Sequence, residues 1–231
     1  MTVREGFLTC LDGDGAIFEE LAGLEAVRLW RGDMEGGATT STTYGVVMEG
    51  SAELSVDGSR HSLSKGCFFS APGRYAIRGG RGVLIEVPDY RGLMTVGGPV
   101  ETAGRLRYID GCTDTLLIPP VRWGDPCMNA LYFPPSVQQT PHTHPSVRFG
   151  AVMWGRGYCE TGQGTFTLEP GLVFCIPTDL VHSFHTRDEQ LAIVTYHPDS
   201  DFGPQDENHP MVNRTLVNGV SASRLPEVQT A

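Results

Sequence analysis

One offset organises this chain. Laid without a gap over residues 149–182, residues 44–77 keep eight identities, every pair 105 positions apart. Gly45, Val47, Met48, Gly50, Leu63, Gly66, Phe69 and Pro72 fall on Gly150, Val152, Met153, Gly155, Leu168, Gly171, Phe174 and Pro177, and Tyr44 falls on Phe149. The kind of residue matters more than the count. Glycines and a proline mark turns while Val, Met and Phe fill strands, so punctuation and content repeat together. Such a chain is expected to fold as two similar domains in tandem, residues 1–100 and 101–231.

Each copy reads as antiparallel β. Ala52, Leu54 and Val56 alternate with polar neighbours up to Asp57-Gly58, and residues 61–63 resume the pattern, which is a hairpin signature. The second copy offers residues 158–161, a turn at 162–164 and residues 165–168. Helical periodicity is scarce, and its best candidate is residues 16–24. Residues 97–118 read as a link. The polar, turn-rich stretch after Tyr196 either wraps the second domain or is loosely ordered.

Composition narrows the partners. With 40% apolar and 19% charged residues the chain can bury a core, and its 29 Gly and 16 Pro make it turn-rich rather than disordered. The net charge is −10 and Lys65 is the one lysine among 17 basic residues. No basic cluster could track a phosphate backbone, so nucleic acid is not expected as a partner. No run reaches the roughly 18 apolar residues of a membrane span, and the first residues lack the apolar core of an export signal. A cytoplasmic protein is expected, with its six widely spaced cysteines as free thiols.

Three histidines carry the chemistry. On a strand, His142 and His144 face one side together, and Arg148 lies on that face too. A turn at residues 177–180 then leads to His182, placed to supply a third imidazole to one metal ion. His185, three residues on, points to the other face. His61, His197 and His209 have no spacing argument and read as surface or packing residues, as Met153 and Trp154 read as packing.

His142, His144, position 148, Gly155, Gly171, Pro177 and His182 together resemble the two-part motif of the cupin superfamily. On the first copy the same frame falls on Gly37, Thr39, Thr43, Gly50, Gly66, Pro72 and Ile77, with every ligand gone. The resemblance, to bicupins of the quercetin-dioxygenase-like and conserved-barrel kinds, implies an all-β fold of two tandem jelly-roll barrels, one competent for metal and one vestigial. It also implies a homodimer and one divalent metal ion per chain. Iron(II) is favoured, with zinc, manganese or nickel as alternatives.

The departure is at Arg148, where most metal cupins hold a glutamate. A dication and a guanidinium about 6 Å apart repel by roughly 5 kcal/mol at an effective dielectric of about 20. Three arrangements answer this: Arg148 anchors a substrate carboxylate, pairs with an acidic residue of the chain, or points outward from a bulged strand. Glu160 is expected to face out and so does not replace the missing ligand, while Cys159 faces inward as a packed thiol, with a reactive or crosslinked role as the alternative. Tyr196 is a candidate pocket hydroxyl and, with Arg148, a candidate catalytic residue.

A three-His ion has open positions, and three functions follow. An iron(II) dioxygenase acting on a small, carboxylate-bearing molecule is the leading one. A zinc, manganese or nickel Lewis-acid isomerase, dehydratase or lyase is the second, and a non-catalytic small-molecule-binding cupin the third.

Overall fold

The computed structural model describes residues 8–10, 15–19, 26–206 and 209–228. The first strands are β1 (Leu8–Cys10), β2 (Gly15–Glu19), β3 (Ala26–Arg31), β4 (Met34–Gly36) and β5 (Thr42–Val56). Next come β6 (Ser59–Ser64), β7 (Phe68–Pro72), β8 (Tyr75–Val87), β9 (Thr95–Gly97) and β10 (Leu106–Arg107). The second stretch holds β11 (Thr113–Ile118), β12 (Cys127–Phe133), β13 (Arg148–Gly155), β14 (Gly157–Thr161) and β15 (Gly164–Leu168). It continues with β16 (Val173–Ile176), β17 (His182–His185) and β18 (Leu191–His197). A short helix α1 (Pro210–Arg214) and the hairpin of β19 (Leu216–Val217) and β20 (Val220–Ser221) follow. No helix among the described residues is long and apolar enough to cross a membrane.

The repeat in the sequence is a repeat in strand register. Thr43 pairs with Ala71 and Gly45 with Phe69 across β5 and β7; Arg148 pairs with Ile176 and Gly150 with Phe174 across β13 and β16. Each pair is the other moved by 105. The hairpins agree as well, Leu54 opposite His61 and Cys159 opposite Phe166. At the Asp57-Gly58 turn both residues have positive φ, 47° and 79°, as a two-residue hairpin turn requires.

Close approach explains the repeated glycine within each strand. A Cβ on Gly45 would lie 2.3 Å from the Phe69 ring, and one on Gly150 would lie 2.0 Å from the Phe174 ring. The large ring crosses over the bare backbone of its neighbour, so Gly and Phe recur as a pair. Gly66 and Gly171, φ 86° and 93°, recur because both copies turn there through the left-handed region.

Three apolar clusters result. One draws only on residues 30–84 and includes Leu54, Phe69 and Ile77; a second draws only on residues 112–193 and includes Cys159, Phe174 and Phe184. The third joins both stretches, with Val27, Tyr44 and Ile85 against Met128, Phe149 and Tyr196. Successive residues of β13 therefore serve different clusters, Val152 the second and Phe149, Ala151 and Met153 the third.

Three expectations change. Residues 16–19, the start of the expected helix 16–24, lie in β2 on the edge of β3, where tertiary pairing overrides a weak local preference; residues 20–24 lie outside the described residues. Leu8–Cys10, assigned to the first domain, pairs instead with Val173–Cys175 of β16, as β9 does with β7. The link region is itself partly strand, since β10 and β11 join the sheet of β12. Cys67, Cys112, Cys127, Cys159 and Cys175 are free and buried.

Gly150→Ala is expected to lower stability by about 1–3 kcal/mol, because either the Phe174 ring or β13 must give way in a packed core. Denaturant unfolding of the two proteins measures it.

Candidate metal centre

His142 and His182 are joined through their backbones. Each N–H donates to the other's carbonyl at 3.0 Å, an isolated antiparallel bridge that brings the ring centroids within 4.5 Å. His144 is held by its carbonyl, which accepts from Asp179 N at 2.9 Å, and its ring centroid lies 5.1 Å from each of the others. Ligating nitrogens of the three lie within 4.8 Å of one another. The strand expected through this segment begins only at Arg148, so the bridge and the turn make the histidines converge rather than a continuous pleat.

The rings are set for a cation. Nδ1 of His142 lies 2.9 Å from the Thr140 carbonyl and Nδ1 of His182 lies 2.9 Å from that of Leu180. A carbonyl only accepts, so each Nδ1 carries the proton and each Nε2 keeps its lone pair, the orientation seen in ligating histidines. His182 Nε2 is buried with no partner in the protein. Burial pushes the His144 imidazole down to about 3, helped by the Arg148 charge, and pushes His182 down to about 4. Both are neutral near pH 7, as metal ligation needs, and the donor set fits a divalent ion.

A cavity of about 60 Å³ adjoins the cluster. Arg148 lines it, with a side chain only 10% exposed, so the outward-pointing arrangement does not occur. Its Nη1 donates to Asp199 Oδ1 at 3.2 Å, to the Ser146 and Val147 carbonyls, and to Ser146 Oγ. Its Nε is buried without a partner. Asn129 reaches Asp114 through Nδ2 at 2.9 and 3.1 Å, which leaves its buried Oδ1 unpartnered in the cavity wall.

The other expectations sort by strand face. Thr195 and His197 line the cavity, whereas Tyr196 between them belongs to the cluster joining the two stretches, its ring 5.1 Å from Tyr44. The expected pocket hydroxyl of Tyr196 is therefore corrected: successive side chains point oppositely, and the cavity face takes 195 and 197. His197, expected to be surface or packing, faces the site. Burial pushes its imidazole well below the ordinary value, with Arg148 and His144 adding to the effect. Cys159 is buried in the second apolar cluster and Glu160 is exposed, 3.7 Å from His185 Nε2. His185 stacks on Tyr158, away from the cavity, and His209 caps α1. Met153 and Trp154 pack in the joining cluster.

Several cavity residues escaped the sequence reading: Asp114, Asn129, Gln139, Thr195 and His197. A signal existed for three of them, because Asn129, Thr195 and His197 are polar positions in otherwise apolar strands.

The first stretch shows how its counterpart site is closed. Thr161 pairs with His182, and Val56, its equivalent at offset 105, pairs with Tyr75. Tyr75, not Ile77, thus occupies the third ligand's place; the second copy has two more residues between its proline and that strand. Gly36 pairs with Tyr75 as His142 does with His182. A Cβ on Gly36 would lie 2.6 Å from the Tyr75 hydroxyl, so the tyrosine fills the place of the missing imidazole.

Comparison with known proteins agrees with this geometry. A profile of the AraC-like ligand binding domain matches residues 134–201. No curated protein matches the chain in sequence. Among solved structures, a cupin 2 conserved barrel domain protein from Leptotrichia buccalis is similar at TM-score 0.60 and 14% identity, covering 85% of this chain and 91% of that one. Protein Ylba from E. coli is similar at TM-score 0.61 and 14% identity, covering 87% and 93%. A salicylate 1,2-dioxygenase variant from Pseudoaminobacter salicylatoxidans in complex with gentisate is similar at 0.59 and 12%, covering 75% and 68%. At these identities the likeness is one of architecture, and the chain has the cupin fold.

His144→Ala and His182→Ala are each expected to abolish metal binding, read by elemental analysis after reconstitution; full occupancy in either would contradict the three-His centre. Acidity gives a second check. Between about pH 6.5 and pH 4 the unfolded chain takes up protons on His144 and His182 that the folded chain refuses, so stability of the metal-free protein falls with pH. Melting curves at pH 7.5 and pH 5 measure the loss, and His182→Ala should shrink it.

Proposed function

We propose that this chain is a bicupin whose second barrel binds one divalent metal ion per chain through His142, His144 and His182 and acts on a small, carboxylate-bearing molecule. The observation that carries the reading is the convergence of His142, His144 and His182, whose ligand nitrogens lie within 4.8 Å of one another, with Nδ1 of His142 and of His182 each held against a carbonyl. The tandem-barrel division, residues 1–100 and 101–231 apart from Leu8–Cys10, is supported by the two separate apolar clusters and the repeated register. A homodimer in the cytoplasm remains part of the proposal, with exposed Leu93 and Val96 at edge strand β9 as its supporting surface.

Bound there, iron(II) would supply dioxygen activation, and zinc, manganese or nickel would supply Lewis acidity toward a carbonyl. The chain's own residues do the rest. Arg148 holds the substrate carboxylate through a guanidinium fork. Asn129 Oδ1 accepts a hydrogen bond from a substrate hydroxyl or amine. His197 and Thr195, whose Nε2 and Oγ1 lie 3.3 Å apart, present a neutral imidazole and a hydroxyl to the cavity as hydrogen-bonding groups for the substrate. A cavity of about 60 Å³ takes the carboxylate end and its neighbouring atoms, with the remainder outside.

The leading activity is an iron(II) dioxygenase, supported by the three-His donor set and by the fold shared with a salicylate 1,2-dioxygenase. A second reading, ligand binding without turnover, is favoured by the match to the AraC-like ligand binding domain, whose span of residues 134–201 contains all three histidines and Arg148. Elemental analysis of the purified protein, followed by oxygen-uptake measurements with small carboxylic acids on the iron-loaded chain, separates the two. Uptake supports the enzyme; tight binding with no uptake under iron supports the binder. In either case Arg148→Leu is expected to leave metal affinity equal or higher and to weaken carboxylate binding by about 2–5 kcal/mol, measured by calorimetry.

A further inference from the structure

The tail after β18 reaches Arg148, which lines the cavity. Asp199 Oδ1 accepts from Arg148 Nη1 at 3.2 Å and from Ser146 Oγ at 2.5 Å. Ser146 Oγ in turn accepts from the same Nη1, and the Ser146 and Val147 carbonyls complete its surroundings. All the acceptors therefore gather on one nitrogen of the guanidinium. Nε, on the opposite side, is buried and has none. A buried guanidinium N–H without an acceptor costs the full desolvation of that group unless a ligand supplies the partner.

The tail is fastened nearby rather than draped at random. Gly124 N donates to Ser200 Oγ at 3.2 Å, and Trp123 N donates to the Pro204 carbonyl at 2.9 Å. Asp199 is thus presented to Arg148 by a segment tied at two further points. Its own side chain is 45% exposed while that of Arg148 is 10% exposed. The carboxylate supports the charge of the buried guanidinium and, by holding Nη1, also sets its orientation.

We infer that Asp199, with Ser146, is a positioning residue that clamps Nη1 of Arg148 and leaves the Nε–Nη2 edge of the guanidinium to receive the ligand's carboxylate side-on. This rests on Arg148 as the carboxylate anchor of the proposed function. It assigns a role to the tail and gives the ligand a defined approach: two parallel hydrogen bonds along one guanidinium edge, which a lysine cannot reproduce.

The test is calorimetric titration of acetate into the zinc-loaded full chain and its variants, with metal content and melting temperature measured alongside. Asp199→Ala is expected to weaken acetate binding at least tenfold with metal content unchanged. Asp199→Asn, whose side-chain oxygen still accepts from Nη1 and Ser146, should bind acetate within about threefold of the parent. Arg148→Lys, which retains charge but has no fork, should lose at least tenfold. Acetate affinity that is unchanged or higher in Asp199→Ala would overturn the positioning role, the second result marking Asp199 as a competitor for the seat. Parent-like binding by Arg148→Lys would overturn the side-on geometry while the anchor stands. Parent-like binding by Arg148→Leu, or no acetate binding by the parent, would bring down the anchor reading itself and the inference with it.

Discussion

Burial on both faces is the constraint from which the rest of this structure follows. Strands β5, β13 and β18 have one face in an inner cluster and the other in the cluster that joins the two stretches. Such strands read as nearly continuous apolar runs, and β13 is buried from Arg148 to Met153 without interruption. Along a run of this kind a polar side chain needs a reason. In β18 the reasons are Thr195 and His197, both on the cavity face, and in β12 the reason is Asn129.

That alternation ties the candidate metal centre to the core. Phe149 and Tyr196 are opposite one another on β13 and β18, both directed to the joining cluster. A one-residue slip between these strands would turn Arg148 and His197 out of the cavity and bring aromatic rings in. Register between them is held by the packing of Phe149 and Tyr196 in the joining cluster, while the interlocked Gly150 and Phe174 fix β13 against β16. The site's polar groups are therefore positioned by apolar contacts that belong to neither substrate nor metal.

The two stretches show one frame used in two ways. In the second, a longer turn after Pro177 delivers His182 opposite His142. In the first, the turn after Pro72 is two residues shorter and delivers Tyr75 opposite Gly36. The tyrosine ring fills the volume that a first imidazole needs, so restoring a histidine at that position alone would meet a steric wall.

Much of this was legible in the residues alone. The repeat at offset 105 carried the strand pairing because glycine, proline and large apolar side chains respond to local backbone needs that are the same in both copies. The identity of the His142, His144 and His182 set was legible from spacing and motif, but the strand expected to align the first two is absent and a backbone bridge between His142 and His182 brings the rings together. What only the tertiary structure decided were matters of partner and face: that Tyr196 joins the core rather than the cavity, that His197 and Asn129 line it, that Tyr75 rather than Ile77 stands in the third ligand's place, and that Leu8–Cys10 crosses to the other stretch. Each depends on a contact between segments far apart in the chain. A sequence records a residue's preference for being buried or paired, but the identity of the surface it meets is set only when the sheets pack.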